Sequence, residues 1–92
     1  MGKIHVQNMT SKSGNSIANQ FVIRTKQGVY FQSYDSLIVF INNKRQVFLD
    51  TCYWNYSNTT GKYRNQFLGE NIQETRRKIK NKEYKLKNLN NG

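Results

Sequence analysis

The sequence predicts an α+β domain: an antiparallel meander of four to five strands, then two short helices forming a helix-turn-helix-like pair, then a C-terminal edge strand. Three observations lead there. Between Gln20 and Asp50, short runs rich in β-branched and aromatic residues recur at intervals of about eight to ten residues, separated by polar turn signals. Ser57 and Gly69 bracket a stretch with one apolar face, as an N-cap and a left-handed terminator would. Glu70 and Glu74 precede a run of Lys and Arg, the charge order that a helix dipole favours.

Residues 1–19 are expected to form a flexible N-terminal arm with a short strand at Lys3 to Val6, because the segment from Gln7 to Asn19 holds many groups that prefer water and few that can bury. Residues 20–92 form the single domain. Its first strand is Gln20 to Thr25, and Lys26-Gln27-Gly28 turns the chain, Gly28 supplying a positive φ. The next strand, Val29 to Ser33, ends at a Tyr34-Asp35 break. Leu37 to Ile41 is apolar on both alternating faces and is expected to be central and covered on both sides. Asn42-Asn43-Lys44-Arg45 makes a hairpin loop, and Gln46 to Asp50 is the fourth strand.

Trp54 and Tyr56 then plug the corner where sheet meets helices. In the helix between Ser57 and Gly69, Thr60, Tyr63 and Phe67 share a face with Leu68 at its edge, while Lys62, Asn65 and Gln66 point away. Arg64 falls between Phe67 and Leu68 on the wheel, either as a snorkelling structural residue or as a probe aimed at a ligand. The second helix runs from Asn71 to Asn81, with a thin apolar stripe of Ile72 and Ile79 that leaves most of its circumference wet. Tyr84, Leu86 and Leu89 alternate with Lys85 and Lys87, as on an edge strand whose lysines discourage aggregation.

Ninety-two residues supply one core. Fifteen Lys and Arg against five Asp and Glu give a formal charge of +10, a field that draws polyanions. Residues 57–92 are the more basic part, with nine cations against three anions. The longest apolar run is too short for a membrane span, and the N-terminus lacks the apolar core of a secretory signal, so a soluble cytoplasmic protein with no membrane partner is expected. The single cysteine, Cys52, has no internal disulfide partner and is expected to be a small half-buried residue.

Catalysis is poorly provided for. His5 has no carboxylate beside it, and Asp35, Asp50, Glu70, Glu74 and Glu83 follow no acid/base or metal-ligand spacing. One His and one Cys cannot make a zinc site, and no Gly-rich phosphate loop is present. The expectation is a non-enzymatic protein with no catalytic, cofactor or metal site.

Binding to nucleic acid is better supplied. Arg76, Arg77, Lys78, Lys80 and Lys82 on the second helix are the first candidates for the phosphate backbone. Lys62, Arg64 and Asn65 on the preceding helix suit base edges or phosphates, and Arg24, Lys26, Lys44 and Arg45 mark two hairpin ends that could grip the backbone. Exposed aromatics on a sheet could also stack on unpaired bases. Phe21, Phe31, Phe40 and Phe48 read first as core, and Tyr30 and Tyr34, opposite Phe31, as candidates for exposure. DNA is expected before RNA, and the oligomeric state is not set by the sequence.

Tyr30-Phe31-Gln32-Ser33-Tyr34, Val47-Phe48-Leu49-Asp50 and the block from Tyr53-Trp54-Asn55-Tyr56-Ser57 through Lys62-Tyr63-Arg64-Asn65-Gln66-Phe67-Leu68 follow one another in an order that resembles a family of small uncharacterised proteins encoded by phages and mobile elements of Gram-positive bacteria. The likeness spans about residues 18 to 90. It implies a genetic setting and no catalytic residues. That setting implies an alternative of another class: an inhibitor of a host defence nuclease or ribonucleoprotein complex, of the anti-CRISPR or anti-restriction type, acting by protein–protein binding.

Overall fold

Six strands hydrogen-bond side by side in the order in which the chain makes them, and two helices are inserted before the last. The computed structural model describes residues 4–90, so the start of the expected Lys3 to Val6 strand lies outside the described residues. The elements are β1 (His5–Thr10), β2 (Ser16–Arg24), β3 (Gly28–Ser33), β4 (Ser36–Asn42), β5 (Val47–Asp50), α1 (Asn58–Leu68), α2 (Ile72–Lys80) and β6 (Tyr84–Lys87). β1 to β5 form an antiparallel meander, whereas β6 lies parallel to β5 at the edge. Parallel neighbours need a long crossover, and the two helices provide it.

The expected arm over residues 7–19 is instead a hairpin, with His5 opposite Arg24 and Asn8 opposite Phe21. Polar composition conceals it because each strand needs only an occasional inward anchor. Met9 is buried, Ile17 packs against the core, and the Asn8 side-chain amide donates to the Ile17 carbonyl at 2.9 Å. Gly14, at φ 86°, makes the turn.

β4 is an interior strand, as its apolar run implies, but the helices cover only one of its faces. A bulge pairs Phe31 with Val39 and Gln32 with Leu37, leaving Ile38 as the extra residue. Ile38 and Val39 are both fully buried as a result. With Phe31, Leu49, Met9 and Tyr84 they form the core, onto which Tyr63, Phe67 and Leu68 of α1 and Ile79 of α2 pack. Burial of a side chain such as Phe31 or Leu49 stabilises the fold by about 2–3 kcal/mol.

Both helix starts follow local chemistry. The Ser57 hydroxyl accepts from the Thr60 amide at 3.1 Å, and Gly69 closes α1 in the left-handed region at φ 71°. Asn71 caps α2 and Glu74 reaches back to the Asn71 amide, completing a capping box. α1 is tied to the sheet where the buried hydroxyls of Ser33 and Thr60 meet at 2.8 Å and where Phe67 stacks on Phe31 with centroids 5.6 Å apart.

Candidate nucleic-acid interface

Strand direction decides where the cations go. β2 ends at Arg24, β4 ends at Asn42, and β5 and β6 begin at Val47 and Tyr84, so their outer ends lie together. The turn between β2 and β3 carries Lys26, and the turn between β4 and β5 carries Lys44 and Arg45. The Asn43 amide group donates to the Lys26 carbonyl at 2.8 Å and binds one turn to the other. Because α2 runs into β6 through Asn81, Lys82 and Glu83, its C-terminus reaches this same end and delivers Lys80 and Lys82. Arg24, Lys26, Lys44, Arg45, Lys80 and Lys82 thus share one end of the sheet, with Glu83 as the acidic residue among them.

These six side chains are exposed and make no hydrogen bond, ion pair or ring contact among the described residues. Like charges left unpaired and close together repel, so the arrangement favours a polyanion arriving to neutralise it. The last turn of α2 adds Arg77, which is also exposed and without a partner.

Two cations of α2 are already engaged. Arg76, though exposed, stands over the Trp54 ring at 6.0 Å. Lys78 forms an ion pair with Glu70 at 2.7 Å, the single salt bridge among the described residues. The same carboxylate accepts from Thr75 at 2.5 Å and from the Tyr84 hydroxyl at 2.7 Å. Burial alone would raise the Glu70 pKa, but the hydrogen bonds from Lys78, Thr75 and Tyr84 outweigh it and hold the carboxyl below its ordinary value. The bond to Glu70 raises Lys78 in turn. Burial, then the bond to Glu70, pushes the Tyr84 phenol up to about 12. This knot joins the turn between the helices, α2 and β6, and its role is structural.

On α1 the candidates separate. Arg64 is 1% exposed. One terminal nitrogen donates to the Trp54 carbonyl at 2.8 Å and to Asn55 Oδ1 at 2.9 Å, the other to Asn65 Oδ1 at 2.8 Å, and the guanidinium lies over the Trp54 ring at 5.3 Å. Burial, then the charge of Arg76, lowers its pKa, with Glu70 opposing. Arg64 is therefore the structural residue of the two alternatives, and Asn65 serves it. Lys62 is exposed but stands elsewhere, in a groove with Ser11, Lys12 and Gln66 beside the β1–β2 hairpin.

The sheet face opposite the helices holds two phenylalanines expected in the core, Phe40 and Phe48, beside Tyr30, a candidate for exposure. Tyr30, Phe40 and Phe48 stand opposite one another on β3, β4 and β5, with ring centroids 4.4 Å and 6.2 Å apart, and remain half-buried. Alternation puts them on the side away from Phe31 and Leu49. Ile23 continues the row on one side and Lys85 on the other. Lys87 lies 5.6 Å over the Phe48 ring. Lys85 and Lys87 are additions to the sequence-derived set, and their alternation with Leu86 was the available signal. Gly28 fits Phe40 to this row, since a Cβ there would meet the Phe40 ring at 2.9 Å and the Ile41 carbonyl oxygen at 2.2 Å. Tyr34 is 45% exposed, at the opposite end of the sheet from the cations.

Among the described residues no group of three or more His, Cys, Asp or Glu could hold a metal ion, and no helix is long and apolar enough to cross a membrane. Asp50 is occupied in holding the chain after β5, accepting from the amides of Cys52, Tyr53 and Leu89. Cys52 is exposed, against the expectation of a half-buried side chain.

No curated protein and no solved structure is significantly similar to this chain. Residues 4–85, which take in the meander, both helices and the start of β6, match a family of unknown function, DUF8033, and the chain belongs to that family.

Proposed function

We propose that this protein binds nucleic acid without enzymatic activity, holding the phosphate backbone on the cationic end of the sheet and the adjoining last turn of α2. The observation that carries this reading is the convergence of Arg24, Lys26, Lys44, Arg45, Lys80 and Lys82, all exposed and unpaired, from three separate parts of the chain. Cations engaged within the fold have visible partners, as Lys78 has Glu70 and Arg64 has the oxygens of Trp54, Asn55 and Asn65, and these six have none. Phosphates neutralised by such a surface release condensed counterions, so affinity falls as salt rises.

The test is a fluorescence-anisotropy titration with duplex DNA, single-stranded DNA and RNA at two salt concentrations. Binding at low salt that weakens steeply at high salt is expected. Absence of binding to all three at low salt removes the reading. If the protein instead retained a single protein partner from nuclease-treated bacterial lysate, the defence-inhibitor alternative would replace it.

A further inference from the structure

We propose that the open face of the sheet takes the unpaired bases of a single strand whose phosphates lie on the cationic end. This rests on the nucleic-acid reading above and specifies its substrate class. The row Ile23, Tyr30, Phe40, Phe48 runs across four strands on the face that neither helix covers, and its aromatic members stack on one another and stay half-buried. Tyr30 is two residues from Gly28, Phe40 two from Asn42 and Phe48 one from Val47, so the row lies within roughly 7 Å, two strand residues, of the ends where the free cations gather. Bases joined to phosphates held there reach the row directly.

Charge selects this occupant over the others. Lys85 and Lys87 close one side of the row, and their ammonium groups suit phosphates or base acceptors. A second copy of the chain would bring another +10 against the first. An apolar protein partner has no use for the border of unpaired cations. Aromatic rings accept any base, because every base has a π face, so the expected substrate is single-stranded and little dependent on sequence. A duplex buries its bases and can use only the cationic end.

The experiment compares three fluorescein-labelled probes of equal length on the full chain: an oligo-dT strand, the same strand with abasic sites throughout its middle and so of the same charge, and a dT·dA duplex, which carries twice the phosphates. The variants are Tyr30→Leu and Phe48→Leu, which keep an apolar side chain, with the thermal midpoint measured beside binding. The dT strand is expected to bind roughly tenfold more tightly than the abasic strand. Each variant should lose most of that margin while leaving abasic and duplex binding unchanged. Equal binding of dT and abasic strands overturns the base-stacking proposal and leaves phosphate binding standing. No binding to any probe overturns both. A dimer in sedimentation equilibrium that Tyr30→Lys dissociates would show that a second copy covers the face, and would overturn this proposal alone.

Discussion

The Tyr84 hydroxyl donates to Glu70 Oε1 at 2.7 Å, the same oxygen that pairs with Lys78 at 2.7 Å, so one carboxylate joins β6 to the turn that begins α2. Glu70 is held below its ordinary value of 4.5. A carboxyl lowered in the folded state stabilises the protein above its unfolded pKa, and that stabilisation is lost as pH falls through the folded value. Tyr84 titrates the other way: pushed up from 10.0 to about 12, its neutral phenol stabilises below pH 10.0, and the gain disappears as pH rises towards 12. Glu70→Gln should cost about 1–3 kcal/mol at neutral pH, because Lys78 is left half-buried without its anion. It should also flatten the acid limb of a urea-midpoint-versus-pH curve. An acid limb identical to wild type would show that other carboxylates set it.

Gly28→Ala should be among the most damaging single-methyl changes in the protein. At φ 152° the backbone is outside the range of L side chains, and the Cβ would meet the Ile41 carbonyl oxygen at 2.2 Å, where the backbone cannot yield easily. Strain of this kind costs about 1–3 kcal/mol, and displacement of the Phe40 ring adds to it. Chemical denaturation measures the loss; a variant within about 0.5 kcal/mol of wild type would show that the hairpin relaxes without penalty.

Arg64→Met keeps much of the volume but leaves the Trp54 carbonyl and the side-chain oxygens of Asn55 and Asn65 without their donor. A loss of about 2–3 kcal/mol is expected. Affinity for nucleic acid, measured where the variant is folded, should be unchanged. A stable variant with weakened binding would mean that the guanidinium serves a ligand after all.

Most of the architecture was readable because its signals are local. Ser57 and Gly69 bound α1 within a residue of the expected limits, and Gly28, Tyr34-Asp35 and Asn42 to Arg45 turn the chain where anticipated. Two features escaped for one shared reason, that they depend on distant pairing. The β1–β2 hairpin is anchored by Met9 and Ile17 among polar neighbours, so composition reads it as an arm. An apolar strand has two faces to cover, and only the placement of α1 and α2 reveals that the Phe40 face stays open. The site divides similarly. Lys26, Lys44 and Arg45 are recognisable as hairpin-end cations, but their union with Lys80 and Lys82 follows from the parallel pairing of β6 with β5, which no local pattern announces.

That union makes a quantitative claim about salt. Each phosphate contact contributes about 0.9 to the slope of log affinity against log salt on duplex DNA and about 0.7 on a single strand. Lys44→Gln with Arg45→Asn, asparagine being chosen because Arg45 sits at φ 65°, should flatten the slope by about 1.4 on a single strand. Lys80→Gln with Lys82→Asn, chosen likewise because Lys82 is at φ 62°, should do the same, although these residues lie more than thirty positions further along the chain. Lys12→Gln with Lys62→Gln removes the same charge from the groove beside the β1–β2 hairpin and should leave the slope nearly unchanged. If all three pairs flatten it equally, the cations act as a diffuse cloud and the end of the sheet has no special part in binding.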